Sequence, residues 1–473
     1  MRNADAVWGI VDGKAAAFAD LSDRVWDTPE TNYEEYRSSA AHAAMLEAEG
    51  FRVSQGIADL PTAVMGEAGD DGPVIAILGE FDALPGLSQE AGSAEQRPLV
   101  PAGNGHGCGH NLLGAGSMLA AAAVKDYLAR HGLKGRIRYY GCPAEEGGSS
   151  KGFMVRAGVF DDVDIAICWH PAPFAGVNNP VSLACNEISF RFKGRAAHAA
   201  SSPHLGRSAL DAVELMNVGV NYLREHMPST ARIHYAITDT GGHAPNVVQA
   251  QAAVRYLVRA RTLPELLTLV ERVKRVAEGA ALMTGTTVTS AVLSGDANLV
   301  GNTPLEQLMH GELERLGPPA FDDADRMTAA QFQETFTSED ITASFERFGL
   351  KLRRDLALCD SIFPLGSSDG TSVGSTDVGT VSWVVPTVQM RGATYAIGTP
   401  GHSWQLVAQG KLPAAHKGMT HAAKVMASTA LRLIHEPALI ETARADMRER
   451  LAGTPFVNPI PDDVEPPLPA DAA

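Results

Sequence analysis

Four short runs of apolar residues, each bounded by glycine, proline or polar positions, predict buried strands at residues 74–78, 136–142, 163–169 and 381–385. Helical periodicity lies between them. Residues 112–130 form an alanine- and leucine-rich stretch followed by Gly132, and residues 414–435 have the same period. Strands that alternate with helices predict an α/β fold, with a mainly parallel sheet and helices on both of its faces.

The middle of the chain has a different pattern. Residues 186–194 and 247–259 alternate apolar and polar positions, as half-exposed antiparallel strands do. Helical stretches at about 208–226 and 263–284 accompany them. We therefore expect an α+β domain at 186–297, inserted into a catalytic domain formed by 1–185 and 298–455. Residues 456–473, rich in proline, aspartate and alanine, are expected to form a flexible tail.

Charge and composition exclude several classes of protein. A net charge of −16 opposes the basic surface that a nucleic-acid phosphate backbone requires, so we expect no nucleic-acid partner. No uninterrupted run of about 18 apolar residues and no basic-then-apolar start occur, so we predict a cytoplasmic protein with no membrane segment. Five cysteines without a CxxC pair disfavour a disulfide framework and suit a free thiolate ligand.

Polar residues follow the ends of the first three predicted strands, where open α/β sheets bind ligands. These residues are Glu80 and Asp82, then Glu145 and Glu146, then His170. A glycine-rich stretch at 105–111, GHGCGHN, adds Cys108 and His110 directly before a long helix. A thiolate and an imidazole two residues apart in such a loop can turn toward one metal ion.

Each of these residues also has a structural explanation. His170 could be a hydrogen-bonded structural histidine, the Glu145–Glu146 pair could be solvated loop charge, Asp82 could cap a helix or turn, and Cys108 could be a small buried apolar residue. Together, however, they supply the mixed sulfur, nitrogen and oxygen ligands that bind zinc or manganese.

These stretches resemble the M20 metallopeptidases and amidohydrolases, particularly the M20D branch. The resemblance spans about residues 10 to 440, and the ordered motifs carry it. They are GEFDALP at 79–85, GCGHN at 107–111, PAEEGG at 143–148, WHP at 169–171, GRAAHAA at 194–200, PNVV at 245–248, STDV at 375–378 and GHS at 401–403.

The resemblance implies two divalent metal ions per subunit, Mn²⁺ or Zn²⁺, with Cys108 at the bridging position. The other implied ligands are His110, Glu146, His170 and His402. Glu145 takes the family's general-base position, close to the metals without being a ligand. Asp82 is expected to orient a ligand rather than bind metal.

Three further residues are implied by the resemblance. His198 on the inserted lid and dimerisation domain matches a histidine that stabilises the oxyanion in a partner subunit's active site, so a homodimer is expected. Asn246 matches a residue near the substrate carbonyl, and Arg259 one that meets a substrate carboxylate. Arg259 could equally be a solvent-facing charge on an alternating strand.

Departures from the branch pattern narrow the expected substrate. The chain has Ala196–Ala197 where the branch commonly has two glycines, and Asn111 where it has aspartate. These changes point toward the subfamily that hydrolyses p-aminobenzoyl-glutamate, the lead substrate, and away from typical hippurate or indole-acetyl amino acid hydrolases. Glu80 stands where M20 enzymes outside the branch have a metal-binding histidine and is not counted as a ligand. His106 could replace one of the named histidines.

Three functional hypotheses follow. The first is a metal-dependent amidohydrolase that cleaves a small N-acyl or N-aroyl amino acid. The second is a metal-binding regulatory subunit that requires a homologous partner chain in a hetero-oligomer. The third is a hydrolase that uses Cys108 or Ser403 as nucleophile, and it is weaker because five metal-type ligands exceed what a nucleophile needs.

Overall fold

The computed structural model describes residues 4–177, 181–367 and 374–469 of the 473-residue chain. Its strands are β1 (Arg52–Gln55), β2 (Val64–Ala68), β3 (Val74–Glu80), β4 (Arg136–Cys142), β5 (Ile165–Ala172), β6 (Gly176–Val177), β7 (Ala184–Lys193), β8 (Arg232–Asp239), β9 (Gln251–Ala260), β10 (Thr287–Asp296) and β11 (Thr387–Ala393).

The helices lie between and after these strands. They are α1 (Ala4–Trp26), α2 (Tyr36–Ala48), α3 (His110–His131), α4 (Ser150–Arg156), α5 (Ala209–Leu223), α6 (Leu263–Thr284), α7 (Thr303–Leu316), α8 (Asp323–Gln333), α9 (Ser338–Arg347), α10 (Val378–Ser382), α11 (Trp404–Gln409), α12 (Pro413–His435) and α13 (Ala438–Arg450).

The larger sheet has the strand order β1-β2-β4-β3-β5-β11-β6. Its four central strands, β4, β3, β5 and β11, are parallel, and its outer strands pair antiparallel. Alternate residues of β3 point to opposite faces: Ile75 and Ile77 join the core with α1, α3 and α12, whereas Ala76 and Leu78 join the core with α4 and α10. The expected α/β class, with a mainly parallel central sheet and helices on both faces, is confirmed.

The second sheet is entirely antiparallel, with the order β10-β7-β9-β8. Helices α5 and α6 pack on it through a separate apolar core that includes Phe190, Val213 and Val270. This sheet and its helices occupy Ala184–Asp296. The inserted domain that the sequence predicts at 186–297 contains the same elements, and the boundary itself stays a prediction.

One predicted strand is wrong. Residues 381–385 contain the end of α10 and the turn that follows it, and the strand is β11, which begins at Thr387 after Pro386. Val381 and Val385 are nonetheless fully or almost fully buried. A short apolar run fits a buried helix as well as a buried strand, so periodicity could not distinguish the two.

The C-terminal segment also differs from its expectation of a loosely held tail. Ile460 is fully buried, and the side-chain amide of Asn458 donates to the carbonyl oxygen of Gly152. The ring of Phe456 lies against Trp383. Apolar residues within the proline-rich composition therefore pack on the fold, while residues 470–473 lie outside the described part of the chain.

Within the described residues, one helix, α3, has the length and composition of a membrane span. Within its most apolar window, 83% of the residues are buried inside the protein. A helix buried to this extent by other parts of the protein is typical of a protein core. Helix α3 packs between α1, α12 and β3.

Candidate metal centre

The site lies at the carboxyl ends of the parallel strands. Glu80 ends β3, Glu145 and Glu146 follow β4, and His170 lies near the end of β5. Cys108 and His110 come from the start of α3, where Gly109 has a φ of 82°. A Cβ atom at Gly109 would approach the ring of Pro171 to 3.0 Å, so glycine permits both the turn and the close packing that bring the thiol and the imidazole to β5.

Cys108 belongs to two groups of side chains, each with ligand atoms within 4.8 Å of one another. The first group is Cys108, His110 and His170. The second is Cys108, Glu146 and His402. All five sequence-predicted metal ligands are therefore brought together, with the thiol common to both groups.

Hydrogen bonds orient the imidazoles of the first group. The Nδ1 atom of His110 donates to Asp82 at 2.8 Å, and Nδ1 of His170 donates to the carbonyl oxygen of Pro171 at 2.8 Å. When each ring is neutral and donates from Nδ1, its Nε2 atom carries no proton and faces the site. The Nε2 atom of His170 lies 3.4 Å from the sulfur of Cys108. Asp82 also accepts from the backbone N–H of Glu146 at 2.9 Å, which ties the two groups together.

His402 is positioned by an unusual backbone conformation. Its φ is 53°, which a residue with a side chain seldom adopts, and its backbone N–H donates to the carbonyl oxygen of Gly107 at 3.0 Å. In this conformation its Nε2 lies 3.4 Å from a carboxylate oxygen of Glu146. Local strain at a side chain directed into a polar cluster is a feature of binding sites.

The donor atoms fit divalent cations. Nε2 of His110 and Oε1 of Glu146 are buried and have no hydrogen-bond partner within the described residues. Leaving such atoms unpaired is costly, and a cation would satisfy them. Sulfur, imidazole nitrogen and carboxylate oxygen together are the ligand set of zinc and also accept manganese.

Burial sets the protonation of the cluster. It raises the pKa of the Cys108 thiol to about 12, with the negative charge of Glu146 adding to the rise. Burial also raises the pKa of Glu145 well above its ordinary value, helped by Glu80 and Glu146. Conversely, burial lowers the pKa of His170, with further lowering by Arg391. Positive charge at the site would reverse the first two shifts by favouring the thiolate and the carboxylate.

A buried lysine that no sequence pattern indicated lies beneath the cluster. Lys151 on α4 is completely buried, and its ammonium group donates to Glu80 at 2.7 Å and to Asp377 at 2.6 Å. This pairing occupies Oε1 of Glu80 and leaves Oε2 3.3 Å from Nε2 of His110. Asp377 lies within the STDV motif, but a lysine after a glycine-rich segment gives no local signal that it is buried.

A cavity of about 510 Å³ opens over the cluster. Both sheets contribute to its wall: Arg259 comes from β9 and Asp296 from the end of β10, while Arg391 comes from β11. Arg259 thus faces the cavity and not bulk solvent. The cavity is large enough for a small amide substrate.

Two sequence-predicted residues lie away from this cavity. His198 and Asn246 are exposed on neighbouring loops beside the second sheet, where the N–H of Ala199 donates to the carbonyl oxygen of Asn246. Neither residue lines the cavity. His106 is buried, and its Nε2 donates to the carbonyl oxygen of Val25 at 3.0 Å, so it belongs to neither ligand group.

Comparison with known proteins gives the family. The model of peptidase family M20/M25/M40 matches residues 76–338, more than half of the chain. The chain is also 46% identical over 460 residues to a p-aminobenzoyl-glutamate hydrolase subunit of Escherichia coli (strain K12), and the alignment covers 95% of both chains. This chain belongs to the M20 peptidase family. The resemblance seen in the motifs is confirmed, and the protein is a hydrolase of that family.

Other similar proteins show how far the likeness extends. The chain is 28% identical to the Xaa-Arg dipeptidase of Mus musculus, over 95% of this chain and 93% of that protein. A solved structure from Bacillus subtilis, described as a dinuclear metal binding peptidase of the M20 family, superposes with a TM-score of 0.55 at 20% identity, covering 89% of this chain and 99% of the other. The M20 fold is thus shared over nearly the full length.

Proposed function

We propose that this M20 protein is a dinuclear metal-dependent amidohydrolase of N-aroyl and N-acyl amino acids, with p-aminobenzoyl-glutamate as its lead substrate. The observation that carries the proposal is the position of Cys108 between two groups of ligands beneath a cavity. The 46% identity to the p-aminobenzoyl-glutamate hydrolase subunit supports the choice of substrate. The dipeptidase relative supports a small amide of an amino acid more generally.

Cys108, His110, Glu146, His170 and His402 would hold the two cations, Mn²⁺ or Zn²⁺. When bound, such a pair supplies Lewis acidity, which polarises the amide carbonyl and makes water more acidic. Asp82 fixes the ring of His110 and the backbone of Glu146, so it would hold the ligands in the geometry that the metals require.

Glu145 is the proposed general base. Its carboxylate lies 4.0 Å from Nε2 of His110, and the side chain is mostly buried at the cavity wall. It would accept a proton from the attacking water and deliver that proton to the leaving nitrogen. A carboxylate that accepts a proton and then donates it works best when its pKa is raised toward neutrality. Burial raises the pKa of Glu145.

His198 and Asn246 would act across a dimer interface. Both are exposed and absent from the cavity of their own chain, which suits residues that enter the cavity of a second copy of the chain. There His198 would stabilise the oxyanion and Asn246 would contact the substrate carbonyl. Arg259, which faces its own cavity, would bind a substrate carboxylate through a two-pronged contact.

The test of the proposal is release of p-aminobenzoate and glutamate by the purified, metal-loaded protein. Glu145→Gln should bind two metal ions per subunit, measured by elemental analysis, while kcat falls by about 100-fold or more because proton transfer is lost. Undiminished activity of Glu145→Gln would refute its role. Activity that survives exhaustive chelation would favour instead a cysteine or serine nucleophile.

A second candidate is a protein that needs a homologous partner chain for activity. The relative's own description as one subunit of a hydrolase favours considering it. Assays of the chain alone and co-expressed with a homologous chain separate the two, because a self-sufficient enzyme is active alone. A homodimer and a cytoplasmic location remain predictions.

A further inference from the structure

One wall of the cavity carries two arginines from the catalytic part of the chain. Strand β11 runs parallel to β5 with Arg391 in register with His170. Residues in register on adjacent strands point to the same face of the sheet, so the guanidinium of Arg391 extends on the side of the metal cluster. Arg347, at the last residue of α9, lines the same cavity.

Tyr395 completes this wall. Its hydroxyl donates to the carbonyl oxygen of Pro171 at 3.4 Å, which places its ring beside the residue that follows His170. Arg347, Arg391 and Tyr395 are close enough to influence one another's ionisation. Burial and, to a smaller extent, the charge of Arg347 lower the pKa of Arg391 to about 10. A bound anion would stabilise the positive charge of Arg347 at this wall.

The described carboxylates of the cavity wall are engaged elsewhere. Glu145 and Glu146 belong to the metal cluster, Glu187 pairs with Arg255 at 3.3 Å, and Asp296 accepts from the thiol of Cys185. Among the described residues, no carboxylate lies within 4.0 Å of Arg347. The positive charge of Arg347 is therefore available to something that enters the cavity.

We propose that Arg347 and Arg391, with Tyr395, form a subsite for the side-chain carboxylate of an acidic amino acid. This inference rests on the proposed function and deepens it. Arg259, on the other sheet, would take the α-carboxylate, so the substrate class is N-aroyl dicarboxylic amino acids. Arginine suits this role because its planar group makes two parallel hydrogen bonds to a carboxylate.

The experiment compares p-aminobenzoyl-glutamate with p-aminobenzoyl-glutamine, which has the same size without the second charge. Wild-type enzyme should prefer the glutamate compound in kcat/KM. Arg391→Met and Arg347→Met should each lower kcat/KM for the glutamate compound by about 10- to 100-fold, the usual worth of a charged hydrogen bond. The same variants should change kcat/KM for the glutamine compound by less than about threefold. The preference for the glutamate compound should therefore be lost in both variants.

Arg353→Met is the matched control. Arg353 is an exposed arginine shortly after α9, paired with Asp360 at 2.8 Å and absent from the cavity wall, so its loss should leave the preference unchanged. Arg391→Lys keeps the positive charge but cannot make two parallel hydrogen bonds to a carboxylate, so it should retain part of the preference for the glutamate compound. If Arg391→Met does not fold by circular dichroism, Arg347→Met carries the test because Arg347 is exposed on the surface of the cavity.

The outcomes separate this subsite from the proposed function. Equal loss for both compounds, or a preference unchanged in both methionine variants, overturns the subsite while hydrolysis stands. If the wild type hydrolyses neither compound, the proposed function falls, and calorimetry with the metal-loaded protein decides the subsite. Tighter binding of the glutamate compound that is lost in Arg347→Met supports it, and equal binding overturns it.

Discussion

At the scale of single residues, the charge balance beneath the cluster depends on Lys151. This ammonium group is completely buried between Glu80 and Asp377. Without it, two carboxylates would remain in an apolar environment next to a third, Glu145. Burial raises the pKa of Asp377 to about 7, although the positive charge of Lys151 acts in the opposite direction.

Lys151→Met should therefore lower the free energy of unfolding by about 3–5 kcal/mol, the usual cost of leaving buried charges without a partner. Urea denaturation measures it. Lys134→Met is the control, because Lys134 makes an exposed pair with Asp71 whose loss should have little effect. Equal destabilisation by the two substitutions would contradict the argument, whereas rescue of Lys151→Met by adding Glu80→Gln and Asp377→Asn would support it.

At the scale of elements, a buried histidine links α12 to the C-terminal end of α7. His421 on α12 donates from Nε2 to the carbonyl oxygen of Gly317, which follows α7, at 2.7 Å. Burial lowers the pKa of His421 to about 4 from an ordinary value of 6.5. The folded protein thus keeps this histidine neutral at a pH where the unfolded chain has already protonated it.

Protonation of His421 makes the folding stability depend on pH. Between about pH 6.5 and 4 the unfolded state binds one more proton at His421, so folding stability falls as the pH falls, by up to about 1.4 kcal/mol per pH unit. His421→Gln, which can still donate to Gly317, should remove that part of the slope in urea titrations of the chelated protein. An unchanged slope in His421→Gln would disprove this account.

At the scale of the whole molecule, the proposed metal ligands come from four separate segments that are joined only by folding. A cation that binds this assembled site stabilises the folded state and not the unfolded chain, by about 2.7 kcal/mol at a free concentration 100 times its Kd. Removing metal should then loosen the α3 start, the loops after β4 and β5, and the loop before α11 together.

Thermal unfolding with Mn²⁺ or Zn²⁺ and then with chelator measures this linkage. The wild type should melt at a higher temperature with metal, while Cys108→Ala, which removes the ligand shared by both groups, should lose most of that shift. The substitution Cys359→Ala, in a separate apolar core, serves as a control for loss of a buried thiol. A metal-induced shift of the same size in Cys108→Ala would argue against the shared position of the thiol.

The residues alone determined the frame of the protein and much of its site. Strand β3 was predicted from a continuous apolar run, because a strand buried on both faces has no polar side. Cys108, His110, Glu146 and His170 were found because they follow predicted strands or precede a helix, and such ends converge by topology. His402 was named only from the M20 motif GHS, because no predicted strand ends directly before it.

Only the tertiary structure decided the rest. Residues 381–385 became the end of a helix and a turn because packing, not the local apolar pattern, selects between a buried helix and a buried strand. Arg391 lies beside His170 through the pairing of β11 with β5, and Lys151 pairs with Asp377 across 226 residues. Such contacts depend on which distant segments meet and on how much water the assembled fold excludes, and neither is encoded in a local pattern of residues.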